Sequence, residues 1–449
     1  MDKSLLDRVV QIFQASSLRL PQAIQYQKFK DGVFLITTSR TSASPTIVIS
    51  PDFLPELKKL PDATLSIETD VDESMETKYT KIETSLPIIP HTIKGELTPS
   101  LYKFLLDIGK SDASKVATEV NIHHALLRIV GMVSGRMFIG PELCRSEEYL
   151  DAAINYTMEV MGAQRAVQSM RPWLRPFRAQ SLPEVKKLYQ RIAEAEAFLE
   201  PVEKPDDFLQ WLIDGKDKFP DKNSQNLAKV QLGLTFAAVH TTTLTATNAF
   251  YDLSALLDLQ IEFREEVRQA LSHNGGQFTS NVLQSMKKMD SFLKETLQVH
   301  PATMASFQRK VLKPFTLSNG QVIPPGVTIE IPAVAVSSDS NVFPHAEKFD
   351  PPGFYRLRTE AKHGGSVEKA ANNQFVSVNQ SSLAFGYGRH ACPGRFFAAN
   401  EIKMILAQAL LQYDVKNVGD ATERYPNIEF AHMSIPDPSK KLMFKSIEV

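Results

Sequence analysis

The sequence predicts a mainly α protein with a minor β part at both ends. Three observations carry that reading. Apolar residues keep helical spacing through most of residues 98 to 300. Short apolar runs between polar turns occur near residues 30–60 and again near 315–336. One more amphipathic segment follows at about 395–413. With 449 residues, 43% of them hydrophobic, the chain can bury a large core, and we read 1–449 as a single domain.

The elements follow in chain order. Leu5, Leu6, Val9, Val10 and Phe13 make the first turns amphipathic rather than uniformly apolar. Val33-Phe34-Leu35-Ile36 and Thr46-Ile47-Val48-Ile49 predict two strands. Pro172, Pro176, Pro183, Pro201 and Pro205 break the helical region into segments. The longest helix is expected from about Ser224 to Leu257, and threonines crowd its centre from Thr241 to Thr247. Threonine is a poor helix former, so local propensity does not explain that cluster. Helices are expected at about 259–272 and 279–299. Ser318-Asn319-Gly320 between Phe315-Thr316-Leu317 and Gln321-Val322-Ile323 signals a hairpin. Pro324-Pro325-Gly326 gives another turn, and Val327 to Val336 reads as a strand. The Pro-, Gly-, Ser- and Asn-rich residues 337–380 predict a long coil. In the last helix, Ile402, Ile405, Leu406, Ala409 and Tyr413 keep helical spacing. Met433, Ser434 and Ile435 predict a turn.

Composition excludes several classes. The 50 basic and 51 acidic residues leave a net charge of -1, so no nucleic-acid partner is expected. Two cysteines, Cys144 and Cys392, do not make a disulfide scaffold and fit a reducing compartment. No run of about 18 apolar residues predicts a membrane span, and no secretory signal is evident. The ten histidines form no metal box; His123 and His124, being adjacent, project in different directions from a helix.

The sharpest signal is Phe385-Gly386-Tyr387-Gly388-Arg389-His390-Ala391-Cys392-Pro393-Gly394, between the long coil and the last helix. A thiolate that binds iron needs a turn tight enough to bring amides onto the sulfur, which Gly388 and Gly394 permit. It benefits from the positive end of a helix, which lowers a thiol pKa. Pro393 suits the first helical position. Phe385 can shield the sulfur, and Arg389 or His390 can pair with an anionic group of the cofactor.

This segment resembles the haem-binding loop of the cytochromes P450, the haem-thiolate monooxygenases, and the resemblance runs in order through nearly the whole chain. Residues 227–253 resemble the family's central oxygen-binding helix, 279–301 the helix of its Glu-x-x-Arg motif and 349–358 its meander. Cys392-Pro393-Gly394-Arg395-Phe396-Phe397-Ala398, with Arg136-Met137-Phe138-Ile139-Gly140 and Leu143-Cys144-Arg145, is most similar to the fungal branch that oxidises terpenoids, such as ent-kaurene oxidases. The resemblance implies the P450 fold, a triangular helical prism with small sheets. It implies haem b, with Cys392 on the iron and Phe385, Gly388, Arg389, His390, Gly394 and Arg309 around the cofactor. In the central helix, Ala237-Ala238-Val239-His240-Thr241-Thr242 matches the family's small pair, acid and threonine. Thr241, at a kink and with Thr242 beside it, is expected to hold water and relay protons. His240 stands in the place of the acid.

Two positions depart from the family. Glu295-Thr296-Leu297-Gln298 has Gln298 where the family has arginine, and Gly353 replaces the meander's arginine. A buried carboxylate without a cation is unfavourable. Glu295 is therefore expected to be protonated or to find another donor, and Arg356 or Arg358 is expected to swing in.

Phe236, Ala237, Val299, Ala302, Thr303, Met304, Ala305, Met433, Ser434 and Ile435 sit where the family lines its pocket, suiting a bulky lipophilic substrate. Trp173, Leu174 and Phe177 are expected either to touch a membrane surface or to pack on neighbouring helices. The chain carries no nucleotide-binding loop, so NADPH would act through a separate cytochrome P450 reductase. A monomer is expected, on the cytosolic face of the endoplasmic reticulum if an N-terminal anchor precedes it, otherwise in the cytoplasm. Oxygenation of a terpenoid in fungal secondary metabolism leads the functional readings. Redox-independent cyclisation or rearrangement, prompted by the lost arginines, and a non-catalytic haem binder stand beside it.

Overall fold

A computed structural model describes residues 26–28, 30, 32–36, 45–82, 117–198, 227–364, 367–419, 421–430 and 433–447. The amphipathic N-terminal turns, the start of the helical region near residue 98, and Pro201 and Pro205 lie outside them.

Strands β1 (Val33–Ile36) and β2 (Thr46–Ile49) form where predicted and pair antiparallel, with Val33 opposite Ile49. Both are buried along their whole length. Their runs of Val, Ile, Leu and Phe therefore show no alternation. β3 (Leu65–Ser66) ends at helix α1 (Ile67–Met75), whose Thr69 N–H is capped by the Ser66 hydroxyl at 3.1 Å. β4 (Thr118–Val120) leads into α2 (Ile122–Phe138), capped by Asn121. Three long helices follow: α3 (Glu147–Ser169), α4 (Pro183–Phe198) and α5 (Leu227–Ser254).

Next come α6 (Leu257–Ser272), α7 (Ser280–Ser285) and α8 (Lys287–Val299). The predicted helix over 279–299 is thus broken at Met286. The Glu266 carboxylate of α6 accepts the Lys288 and Met289 N–H groups at 2.7 and 3.0 Å, starting a new helix there. That cap comes from another element, so local sequence does not reveal it.

Strands β5 (Ser306–Val311), β6 (Phe315–Thr316), β7 (Val322–Ile323) and β8 (Thr328–Ile331) come next. The β6–β7 hairpin pairs as predicted, with Gly320 at φ 85° in the turn. The strand predicted over 327–336 stops at Ile331. Pro332 has no N–H for the ladder, and Ala333–Ser337 forms the short helix α9. The predicted coil 337–380 contains α10 (Gly353–Gly364) and α11 (Val367–Asn372). Pro351-Pro352, read as coil-forming, instead precedes a helix start, a position proline tolerates well. α12 (Arg395–Gln412) is the expected last helix. After it come β9 (Tyr413–Asn417), β10 (Asn427–Phe430), β11 (Met433–Pro436) and β12 (Leu442–Ser446). Met433–Ile435, predicted as a turn, is strand, pairing antiparallel with β10.

The largest sheet has the order β1-β2-β8-β5-β3, with β2 and β8 parallel, so Thr46 and Thr328 lie side by side. A second sheet runs β4-β12-β9. The long helix α5 packs chiefly on α2, α3 and α4 and also touches β9 and β11. Phe250, Phe263, Phe292, Leu406 and Leu410 are almost fully buried where α5, α6, α8 and α12 meet. Truncating any of these phenylalanines costs about 3–5 kcal/mol.

Candidate functional site

The turn before α12 owes its shape to two glycines. Gly386 at φ 78° and Gly388 at φ 73° adopt left-handed backbone that a side chain would strain. A Cβ on Gly386 would also meet the Ala391 and His390 backbone at 3.6 Å. The turn closes as the Cys392 N–H donates to the Phe385 carbonyl at 2.8 Å. Cys392 is half-buried just before α12, where the Gly394 and Arg395 N–H groups face its sulfur. Gly394 is the N-cap and Arg395 the first helical residue, so Pro393 lies outside the helix and not at its first position.

Burial pushes the Cys392 thiol pKa up, and the N–H groups and Arg395 offset only part of that rise. The helix start alone therefore does not make this thiol acidic; bonding to a metal ion would deprotonate it. Cys144 is buried in the core with its sulfur at 3.5 Å from the Pro141 carbonyl.

Beside the turn, Arg309, Arg389 and His390 line one small pocket with Lys58 and Tyr387. Arg389 and His390 both reach Asp62, at 2.6 and 3.0 Å, which clamps the cysteine turn to the segment after Phe53. Arg309, on β5, is 5% exposed. Its guanidinium donates to the Gln308 carbonyl at 2.7 Å and stacks on Phe307 at 4.4 Å. Among the described residues no carboxylate comes within ion-pair distance of it, and desolvation pushes its pKa down to about 10. A buried guanidinium without an anion is unfavourable. A haem carboxylate in this pocket would supply that anion. The thiol turn and the Arg309 pocket together thus fit haem.

The central helix α5 presents a narrow exposed stripe. Ala237 and Thr241 are exposed, whereas Thr235, Val239, Thr242 and Thr243 are buried. The Thr241 hydroxyl donates to the Ala237 carbonyl at 2.7 Å, and Thr245 repeats the pattern onto Thr241 at 3.0 Å. The hydroxyls are thus satisfied inside the helix, which is continuous through Thr241.

His240 turns the other way. Its Nε2 lies 2.8 Å from the Ile154 carbonyl on α3, and burial pushes its pKa down. Phe236 packs edge-on against Tyr156 of α3 with ring centroids 6.5 Å apart. Of the residues predicted on this helix, Ala237 and Thr241 share the exposed stripe. Phe236, His240 and Thr242 do not.

At the far end, Thr303 bridges to Met433 and the Ser434 N–H donates to the Ala302 carbonyl. Thr303 and Met433 are thus neighbours, as are Ala302 and Ser434, while Ile435 lies opposite Ile428 of β10. Met304 is fully buried against Val334 and belongs to the core.

Glu295 is 6% exposed on α8 and accepts the Asp350 N–H at 2.9 Å. Neither predicted arginine reaches it. Arg356 pairs with Asp350, and Arg358 pairs with Asp290 at 2.7 Å. Gln298 donates instead to the Ser337 carbonyl at 3.4 Å. Desolvation pushes the Glu295 carboxyl up to about 7, towards the protonated form, and the Asp350 N–H is the other donor.

The cationic clamp has moved one and a half turns along α8, a feature the sequence reading missed. Asp290 is held by Arg358 of α10 and Lys403 of α12, and accepts the Phe375 N–H at 3.0 Å. Phe375 packs edge-on against Phe385 at 5.6 Å, joining this cluster to the cysteine turn. The Ser291 hydroxyl adds two bonds, to the Pro351 carbonyl and from the Tyr355 N–H. Nothing within the helix sequence marks Asp290 rather than Glu295 as the clamped acid.

The comparisons agree with this geometry. Residues 102–444 match the cytochrome P450 family. The chain is 43% identical to the cytochrome P450 monooxygenase ATR3 of Stachybotrys chlorohalonatus, over 90% of this chain and 89% of that one. It is 32% identical to the cytochrome P450 monooxygenase AN1598 of Emericella nidulans, over 94% of this chain and 82% of that one. With BOA4 of Botryotinia fuckeliana, likewise a cytochrome P450 monooxygenase, identity is 32% over 97% and 90%. The thiol turn that these matches enclose is the reason the chain can be assigned a chemistry as well as a shape: it belongs to the cytochrome P450 family of haem-dependent enzymes.

Proposed function

We propose that this enzyme is a monooxygenase of fungal secondary metabolism that hydroxylates a bulky lipophilic substrate, a terpenoid, with electrons from NADPH through a separate reductase. The observation that carries the reading is the Cys392 turn, with a buried cation beside it, Arg309, that pairs with no carboxylate among the described residues. Cys392 would hold the haem iron, and Arg309 would take one of its carboxylates. When bound, the haem supplies oxygen activation, which an electron-donating thiolate ligand favours.

The chain's own residues do the rest. Ala237 leaves room for a substrate against α5. Thr241 exposes a hydroxyl whose donation to Ala237 can be exchanged for a water, which gives a proton path at its Oγ1. His240 stays on the Ile154 carbonyl and acts by fixing α5 against α3. Ala302, Thr303, Met433 and Ile435 offer a mainly apolar wall for the substrate. The relatives are fungal cytochrome P450 monooxygenases, which supports the fungal, monooxygenase part of the reading.

Redox-independent chemistry drew its support from the missing arginines. The Asp290–Arg358–Lys403 cluster removes that support, because the meander is still tied to α8. Trp173 and Phe177, 64% and 81% exposed, favour contact with a membrane surface over helix packing, consistent with the cytosolic face of the endoplasmic reticulum. No helix among the described residues is long and apolar enough to cross a membrane.

The test is incubation with labdane- and kaurane-type diterpenes and with sesquiterpenes, with and without NADPH and reductase. Hydroxylated product only in the complete mixture supports the reading. Product without reductase, or ligand binding with no product in either arm, refutes it.

A further inference from the structure

A cavity of about 550 Å³ lies away from the exposed stripe of α5, between the start of α3, the end of α4 and the first turns of α5. Ala152, Ala195 and Leu232 supply carbon to its wall. Gln231 borders it, is 2% exposed, and among the described residues finds no hydrogen-bond partner for either its Nε2 or its Oε1. Buried amides are nearly always satisfied, so one with both ends open is an exception that calls for a ligand or water. At about 100° per residue, Gln231 lies roughly a quarter turn around α5 from Thr241. Gln231 also lies about 15 Å from Thr241 along the axis of α5.

Its rim selects charge. Glu148, Asp151 and Glu194 border it, while Arg191, the one cation on the rim among the described residues, is already engaged by Asp151, Glu159 and Glu194. The surplus negative charge disfavours an anion. The volume falls in the range that encloses a small organic molecule.

We propose that this cavity is a second, haem-independent binding site for one compact, uncharged lipophilic molecule carrying a carbonyl or hydroxyl group. The Gln231 amide meets that polar group, donating from Nε2 to a carbonyl or accepting a hydroxyl at Oε1. The alanine and leucine wall takes the hydrocarbon part. Because α5 carries Gln231 on one face and Thr241 on another, the site is placed to act as an effector site for the chemistry at Cys392.

The probe is 6-propionyl-2-dimethylaminonaphthalene, neutral, apolar and bearing one carbonyl. Holoenzyme is first saturated with ketoconazole, an elongated azole that occupies the haem side, and probe binding is counted by equilibrium dialysis. Wild type is expected to bind one further equivalent saturably. Ala152→Phe, which fills the cavity from a half-buried position, abolishes that equivalent. Gln231→Leu weakens it about tenfold by removing the hydrogen bond. The carbon monoxide spectrum of the reduced haem certifies that each variant is folded. Absence of a saturable equivalent in azole-blocked wild type, or binding unchanged in both variants, overturns the proposal. Neither result bears on catalysis at Cys392.

Discussion

Replacing Glu295 by glutamine should abolish a specific part of the protein's sensitivity to alkali. Glu295 is buried, has one N–H donor and, among the described residues, no cation, and desolvation lifts its carboxyl from 4.5 to about 7. In the unfolded chain the group ionises near its ordinary value. Between those two pH values the native state holds a proton that the unfolded state has released. Folding stability from this group is therefore fully present below about pH 4.5 and is lost as pH rises towards 7. The gap, at about 1.4 kcal/mol per pH unit, is worth about 3 kcal/mol. A glutamine side chain there cannot ionise, yet its carbonyl can still accept the Asp350 N–H.

The assay is urea unfolding of holoenzyme, wild type and Glu295→Gln, followed by circular dichroism from pH 5 to pH 8. Other groups titrate in both proteins, so the quantity to read is the difference between them. The variant should gain about 2.5 kcal/mol on wild type between the two ends, because part of the full gap is already lost at pH 5. A difference that stays flat within about 1 kcal/mol would show that Glu295 is not held protonated, and the account of the missing arginines would fail. Gln298→Arg should flatten the wild-type slope as well, by placing a cation three residues on along α8.

Other expectations are as direct. Thr241→Val keeps the shape of the exposed stripe but removes its hydroxyl, and should lower product formation at least about tenfold with substrate binding unchanged. Arg309→Leu should lower the haem-to-protein ratio after purification, and Arg309→Lys should restore much of it, because it returns the positive charge that would meet a haem carboxylate. Arg358→Ala strips a cation from the buried Asp290 and should cost about 3 kcal/mol in unfolding free energy.

The strands Val33–Ile36 and Thr46–Ile49 and the hairpin at Gly320 were legible because their signals are local. So was the cysteine turn, where glycines, a cysteine and a helix start sit within ten residues. What the sequence concealed depends on distant partners. The break at Met286 arises from a cap supplied by Glu266. The pairing of β4 with β12 joins residues over 300 apart. The meander's clamp moved from Glu295 to Asp290, and no pattern within the helix distinguishes one buried acid from the other. His240 was placed by position in the motif, but its side chain follows the Ile154 carbonyl on α3.

The account rests on a bond between Cys392 and haem iron. The reduced protein is exposed to carbon monoxide, and its spectrum is compared between wild type and Cys392→Ala at matched haem content. Wild type should show the red-shifted Soret band that a trans thiolate produces, and the variant should lose it. A thiolate-type band that persists without Cys392, or its absence from wild type, would contradict the assignment.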